Sequence, residues 1–398
     1  MSGFKYAFSL SKQEVREAHA PGTVALIDHV LVRTKSGHHD QQDDKIILVP
    51  EPSADPADPL NWPLWRKVMI LFCMSYYAFL SNFASASISS AIPILATPLG
   101  FGVPTISFSR LTQLISVNNL MIGAANIWWV PLANTFGRRP ILLMALLCHL
   151  FFYVWCGEAQ LAQNFDSLLV ARLFAGMGAA PADAVAADAL GEVFFVHQRG
   201  RVLAIYTTTL VLGPLVGGLC GGYIVAARGL VWIQWVNVIL SAILFALVFL
   251  FVPETMYSRR SAVQDRHENN LEVDEKGGIS TVENRPSTDS SFAPFTFARS
   301  LRIGIYRPGL GKRFVAPFLT LRLPGVWLIA LWYSGLVGGV IAASLLGAQL
   351  MASPPYLWGE KAGLVNIGGI VGGFLGLGWT ALTADWYTKR QAKKESHG

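Results

Sequence analysis

Two ionisable residues, Arg172 and Asp183, stand inside one largely apolar stretch of the sequence, which also contains Asp188. Charged side chains are costly in lipid, and within a membrane helix they usually face a polar interior or a cavity. The two positions are eleven residues apart, about three helical turns, so a continuous helix would place them on one face. We therefore expect Asp183 to face a polar interior or a cavity, where it could take up a proton or bind a cation. The alternative is a structural pairing with Asn or Arg on a neighbouring helix.

A second group of residues combines backbone freedom with positive charge. Gly137, Arg138 and Arg139 follow one another between two apolar segments. Glycine allows a tight reversal of the chain, and the guanidinium groups can bind acidic residues and the carbonyl ends of neighbouring helices. The simpler interpretation is that the arginine pair only anchors the chain at the membrane surface.

A third pattern is rich in glycine. It contains Gly213, Pro214, Gly217 and Gly218. Proline removes a backbone donor and bends a helix, while glycines spaced four residues apart allow two helices to approach closely. Residues 368–376 supply a similar surface, which predicts a contact between the two segments. Glycine-rich faces also pack membrane bundles in general, and that alternative stays open.

The composition identifies the elements that must position these residues. The chain has 398 residues, of which 53% are hydrophobic and 14% charged, and its mean hydropathy is +0.43. These values favour an all-α integral membrane protein over a soluble domain. A membrane helix needs about 20 apolar residues, and such windows recur along the chain, unlike a cleaved signal peptide. The predicted spans are 65–95, 111–132, 140–156, 168–190, 202–226, 230–252, 325–346 and 362–382.

The polar stretches between these spans divide the chain. We expect a disordered cytoplasmic tail over residues 1–60 and an amino-terminal six-helix bundle over 61–256. Residues 257–320 are predicted to form a cytoplasmic linker, because their first part cannot bury enough apolar area to pack alone. The first two helices of a second bundle would follow over 321–385, and a basic cytoplasmic tail over 386–398.

The basic residues near the span ends predict the orientation. Lys and Arg are retained on the cytoplasmic side, and nearly all of the clusters fall on one side of the predicted spans; they are Arg66 with Lys67, Arg138 with Arg139, Arg199 with Arg201, the linker and the tail. Both termini are thus predicted to be cytoplasmic, and Arg110 is the exception. The net charge of +6 follows from this topology, so we expect a lipid bilayer and no nucleic acid as partner.

The residues of the second group resemble a known signature. Residues 131–140, Pro-Leu-Ala-Asn-Thr-Phe-Gly-Arg-Arg-Pro, are similar to the signature loop of the major facilitator superfamily. Asn134 departs from the pattern, because many members have Asp there. Arg172, Gly176 and Gly178 resemble the R-x-x-x-G-x-G element of the same family. The resemblance implies a gate at the cytoplasmic face in which Glu192 contacts Arg138.

Further motifs narrow the resemblance to the fungal drug:proton antiporter type. The Gly-Pro-Leu-Val-Gly-Gly stretch at 213–218 is similar to the antiporter element, and residues 58–62 and 253–255 resemble sequences that flank the first and sixth spans. Together with residues 194–200 they resemble the branch that includes histidinol and polyamine transporters. The resemblance implies a major facilitator fold with a complete first bundle and two helices of the second.

The implied function is proton-coupled antiport of small organic molecules or cations by alternating access, at the plasma membrane. The partners would be a small-molecule substrate and protons, with no cofactor and no metal. Polar residues expected to line the path with Asp183 and Arg172 are Tyr76 on the first span and Asn118 and Asn126 on the second. No phosphate-binding loop or catalytic constellation is visible, so we expect neither an ATP-driven pump nor an enzyme.

Family members have twelve spans in two halves, with substrate bound between the halves. The chain contains eight predicted spans, so four would be missing. Either the sequence is truncated or the protein is a naturally short relative. The alternative function is therefore a transport-inactive membrane protein that regulates, or assembles with, a full-length relative.

Overall fold

The structure is a computed structural model that describes residues 27–28, 45–46, 56–96, 98–101, 106–257, 304, 306–307, 309–352 and 354–395. Most of the predicted amino-terminal tail and much of the predicted linker lie outside these residues, so the division into domains stays a prediction. Two short strands, β1 (Ile27–Asp28) and β2 (Lys45–Ile46), pair antiparallel.

Helices make up nearly all of the remaining described structure. They are α1 (Leu64–Ala86), α2 (Ile92–Leu95), α3 (Pro98–Phe101), α4 (Phe108–Phe136), α5 (Arg138–Leu161), α6 (Phe165–Ala179), α7 (Val185–Val193), α8 (Val196–Arg228), α9 (Trp232–Phe251), α10 (Leu310–Thr320), α11 (Pro324–Ala352) and α12 (Asn366–Glu395). Short 3₁₀ turns cover Pro59–Asn61, Ser89–Ala91, Ala180–Ala182 and Gly359–Val365. The predicted linker therefore ends in a helix, α10, and the predicted basic tail continues α12.

Within the described residues, seven helical segments are long and apolar enough to cross a membrane. They correspond to every predicted span except the second. That span is helical, as α4 over 29 residues, but its hydroxyl and amide side chains make it less apolar than the others. The prediction of an all-α integral membrane protein is confirmed, while the count of eight spans stays a prediction.

The one arginine that breaks the charge pattern has a partner. Arg110, at the start of α4, lies 3.3 Å from a carboxylate oxygen of Asp166, at the start of α6. The two side chains are 57% and 82% exposed, so the pair stabilises the fold little. Its position shows that α4 and α6 begin at the same end of the bundle.

Glycines bring α8 into close contact with α1. Methyl groups placed on Gly213 and Gly217 would lie 2.5 and 2.6 Å from the backbone carbonyl oxygens of Phe79 and Phe83. Four residues further on, Gly221 meets the carbonyl of Ser87 in the same register. Lipid tails provide no hydrophobic drive for helix association, so such close packing holds membrane helices together.

The predicted contact between the two glycine-rich segments is present only in part. Gly218 lies against Asn366 of the α12 amino terminus, and Gly369 against Leu215. Open space surrounds three other glycines of α12, where an added methyl group would meet no described atom within 4 Å; they are Gly368, Gly372 and Gly376. Gly373 also faces α8, at Leu212. The predicted contact between the two helices is therefore present, although three of the five glycines at 368–376 take no part in it and the tightest glycine stripe of α8 packs against α1.

We expect Gly217→Ala to destabilise the protein, because its methyl group cannot fit against the Phe83 carbonyl without moving a helix. Such overpacking costs about 1–3 kcal/mol and should lower the melting temperature by about 5 °C. Thermal unfolding in detergent, followed by tryptophan fluorescence, measures the change. Gly372→Ala is the matched control: it has open space and should be neutral or slightly stabilising. Equal melting temperatures for the two variants would contradict the packing described for α8.

Candidate functional site

The predicted fourth span is not one continuous helix. A 3₁₀ turn over Ala180–Ala182 separates α6 from α7. Pro181 lies in this turn, and because proline has no N–H, the carbonyl of Met177 loses its helical partner. Asp183 follows directly, and its N–H donates to the carbonyl three residues earlier, that of Ala180, at 3.1 Å. The helix therefore leaves α geometry just where the acidic side chain stands.

Three aromatic side chains donate hydrogen bonds to carbonyl groups around this break. The donor and acceptor pairs are Trp129 with Met177, Tyr77 with Gly178, and Tyr206 with Ala182. The indole bond is 2.8 Å from Nε1 to the carbonyl oxygen. An unsatisfied buried carbonyl costs about 1–3 kcal/mol, so these donors offset the loss that the break would otherwise impose.

Asp183 is exposed beside these donors. Its carboxylate interacts electrostatically with the hydroxyl groups of Tyr77 on α1, Tyr206 on α8 and Tyr333 on α11. Asp183 is therefore close to residues of α1, α8 and α11. In the described part of the chain no Asn or Arg side chain bonds to it, so the pairing considered as an alternative is not seen there. The position fits a proton or cation site.

Arg172 lies elsewhere, although eleven residues separate it from Asp183. The side chain is fully buried, and its guanidinium donates to the carbonyls of Leu114, Ala84 and Ser85 at 3.3, 3.3 and 2.7 Å. The predicted shared face was wrong, because the 3₁₀ turn interrupts the helix between the two residues. Arg172 joins α6 to α1 and α4, and its side chain is not exposed.

The other predicted path residues mainly hold helices together. Asn118 is buried and donates its amide to the Arg172 carbonyl at 2.7 Å. Asn126 is half-buried and donates to a carbonyl of its own helix, four residues earlier, at 3.1 Å. Tyr76 donates its hydroxyl to the carbonyl of Leu240 on α9 at 3.3 Å. A role of these three in a path stays a prediction, and their present contacts are interhelical or local.

The glycines of the fourth span have a packing role. A methyl on Gly176 would collide with the backbone of Asn118 on α4, and one on Gly178 with the backbone of His149 on α5. The two glycines therefore allow α6 to approach a different helix on each side. This contact explains the R-x-x-x-G-x-G spacing without a catalytic or binding role for its glycines.

The signature loop turns at Gly137, whose φ of +104° lies in the region that favours glycine. The carboxylate of Glu254, which follows the sixth span, occupies the adjacent space. It accepts hydrogen bonds from the backbone N–H groups of Arg138 and Arg139 at 3.0 and 3.2 Å. A side chain at Gly137 would collide with this carboxylate and with the backbone of Gly304. Glu254 thus caps the amino terminus of α5, where negative charge is favourable.

Both arginines of the loop bind helix ends or acids. Arg138 pairs with Glu192 at 2.9 Å and also donates to the carbonyl of Asp188 at 3.0 Å. Arg139 donates to the carbonyl of Phe249, near the end of α9, at 2.7 Å. The contact between Arg138 and Glu192 that was expected from the resemblance is present in the structure. Its role as a gate stays a prediction.

Asn134 contributes its backbone to this region. Arg313 of α10 donates to the Asn134 carbonyl and, at 3.0 Å, to the hydroxyl of Thr135. The N–H of Arg307 donates to the Thr135 carbonyl at 2.8 Å. A guanidinium at the carboxyl end of α4 is electrostatically favourable. The last part of the predicted linker therefore binds to the loop at the position where many family members have an aspartate.

Several of these residues were not predicted from the sequence. The capping role of Glu254, the docking of Arg313 and the three donors Trp129, Tyr77 and Tyr206 emerged only from the structure. One clue was available: Pro181 stands inside a predicted span, and a proline there frees a carbonyl that needs a donor. The sequence offered no comparable clue for Arg313.

Comparison with known families matches the profile described as Major Facilitator Superfamily to residues 74–394. Relatives in yeasts are similar over parts of their length. Protein HOL1 of Saccharomyces cerevisiae is 31% identical over 218 residues, 54% of this chain and 35% of HOL1. The MFS antiporter QDR3 of Candida albicans is 27% identical over 212 residues, 53% of this chain and 29% of QDR3.

An uncharacterized MFS-type transporter of Schizosaccharomyces pombe is 25% identical over 421 aligned residues, 94% of this chain and 70% of that protein. The chain thus spans only about a third of the length of HOL1 and of QDR3. The crystal structure of a D-xylose-proton symporter matches with a TM-score of 0.50 and 16% identity, over 81% of this chain and 69% of that one. The resemblance to fungal transporters of this type is confirmed.

We expect Glu254→Ala to destabilise the end of the bundle that carries the signature loop, because it removes the acceptor of two backbone N–H groups at the start of α5. Loss of a capping carboxylate should cost about 1–2 kcal/mol. Thermal unfolding in detergent measures the cost. The control is Asp166→Ala, which removes an exposed ion pair and should change the stability by less than about 0.5 kcal/mol. A Glu254→Ala variant as stable as the control would show that the cap contributes nothing.

Proposed function

Because this chain belongs to the Major Facilitator Superfamily, an integral membrane family of transporters rather than enzymes, we propose that it is a secondary active transporter. It would exchange protons for small organic molecules or cations by alternating access. The first bundle would rock against the second around a site near the middle of the membrane. The observation on which this proposal rests is the exposed carboxylate of Asp183 beside the break in the fourth span.

The surroundings of Asp183 favour a proton or an organic cation as its ligand. In some transporters, the carbonyls of a broken helix coordinate a metal cation. Here the carbonyls of Met177, Gly178 and Ala182 already accept hydrogen bonds from aromatic donors. A proton needs only the carboxylate. An organic ammonium group would in addition be attracted by the aromatic rings near the carboxylate.

The contacts at the signature loop support a cytoplasmic gate. The shielded pair of Arg138 and Glu192 joins α5 to α7, while Glu254 joins the end of the sixth span to the start of α5. Rocking of the two bundles would change the distances between these helix ends. A proton or a substrate that binds at Asp183 more tightly in one of the two arrangements would then favour that arrangement.

Antiport is further supported by the similarity to QDR3, an MFS antiporter of Candida albicans, and by the Gly-Pro element at 213–218. We propose that the protein lies in the plasma membrane. Both termini would be in the cytoplasm, since the loop arginines lie at one end of the bundle. The proposed substrate class is a drug, a polyamine or another organic cation.

We expect Asp183→Asn to abolish proton-driven flux of organic cations, because an amide cannot take up and release a proton. The measurement is uptake and efflux of a panel of polyamines and cationic drugs, with and without a pH gradient, in yeast cells that lack their own carriers. Asp188→Asn is the matched control: this exposed carboxylate lies on the same span, five residues from Asp183, and the variant should keep its flux.

Two results would contradict the proposal. Equal proton-driven flux by Asp183→Asn and the unmodified chain would exclude the carboxylate as the coupling site. Correct insertion of the unmodified chain without any flux would favour the transport-inactive membrane protein that regulates a full-length relative. Insertion is checked by the accessibility of tags placed at both termini.

A further inference from the structure

We propose that Trp129, Tyr77 and Tyr206 are positioning residues, which hold the fourth span broken so that the Asp183 side chain stays exposed. The proposal rests on the function proposed above, since it explains how the carboxylate of the coupling site is placed. It adds three residues, on three different helices, that none of the sequence motifs includes.

The first step is that the break needs external donors. Pro181 removes the N–H that would bond to the Met177 carbonyl, and the 3₁₀ turn moves the N–H of Asp183 onto the Ala180 carbonyl. In lipid, no water is present to satisfy the freed groups. A helix that broke here without donors would tend to recover α geometry or to expose its carbonyls.

The second step is that each donor comes from a different helix. Trp129 lies on α4, Tyr77 on α1 and Tyr206 on α8, and each of them is buried. Their acceptors are spread over six residues of the fourth span, from Met177 to Ala182. The break is therefore fixed relative to three neighbours, and on the α5 side Gly178 already touches the His149 backbone.

The third step concerns what these bonds leave free. A tyrosine hydroxyl has one proton to donate, and in Tyr77 and Tyr206 that proton goes to a carbonyl of the break. Both hydroxyls nevertheless interact electrostatically with Asp183. The carboxylate thus has tyrosines close by that do not consume its acceptor positions, so it stays available to a proton or to a cationic ligand.

The test measures the position of residue 183 directly. Asp183→Cys provides a thiol, in a background where the half-buried Cys148 and Cys220 are replaced by alanine. The rate of modification by a charged methanethiosulfonate reagent is compared with and without Trp129→Phe, Tyr77→Phe or Tyr206→Phe. We expect each of these three changes to lower the rate several-fold, because the span shifts away from the exposed arrangement.

Two further variants keep the test decisive. Tyr223→Phe also removes a hydroxyl from α8, but this side chain is 47% exposed and remote from the break, so the labelling rate should not change. Pro181→Ala restores the N–H that the Met177 carbonyl lacks, without removing any aromatic donor, and should lower the rate as well. It serves as the test if an aromatic variant does not fold, which thermal unfolding reveals.

The proposal is overturned if folded aromatic variants and Pro181→Ala label at the rate of the parent. Because labelling does not require transport, this outcome is distinct from a failure of the proposed function. Flux that survives Asp183→Asn would reject the coupling role, whereas unchanged labelling would reject only the positioning role. The flux of Tyr206→Phe and of Tyr223→Phe, measured with Asp183 intact, shows whether a misplaced carboxylate also lowers the rate of transport.

Discussion

The structure depends on one constraint: inside a bilayer, every backbone N–H and carbonyl must find its partner within the protein. The first and fourth spans both leave α geometry, at Ser89–Ala91 and at Ala180–Ala182. Each interruption frees carbonyls that a continuous helix would satisfy. The residues that bond to these carbonyls determine which helices are held together and which side chains stay exposed.

The same constraint organises the end of the bundle that carries the signature loop. Helix termini carry unpaired N–H and carbonyl groups, and here charged side chains bind several of them. Glu254 accepts the N–H groups at the start of α5, Arg313 donates to the carboxyl end of α4, and Arg139 donates to the carboxyl end of α9. Each of these bonds joins two different elements, so this end of the bundle is held together by contacts between helix ends.

The sequence predicted the elements better than the environment of individual side chains. The hydropathy windows located the helices, because hydrophobicity is a local feature, and the contact of Arg138 with Glu192 was implied by the resemblance to the family. The orientation of Arg172 relative to Asp183 could not be predicted in this way, because the 3₁₀ turn between them changes the direction in which the later side chains of the span point. The roles of Trp129 and Tyr77 depend on which helices meet, which no local pattern specifies. The sequence therefore identified some residues of the candidate site, such as Arg138, but it did not predict the contacts that join the residues of the site.

The two interrupted spans differ in the chemistry of their donors, and this difference bears on function. At the first span, the carbonyls of Ala84 and Ser85 accept hydrogen bonds from the fully buried guanidinium of Arg172, a fixed positive charge. At the fourth span the donors are neutral phenols and an indole. A fixed cation beside Asp183 would neutralise the carboxylate permanently and compete with any mobile ligand. Neutral donors satisfy the backbone without this competition, so the carboxylate keeps its negative charge available, as the proposed exchange of cations at Asp183 requires.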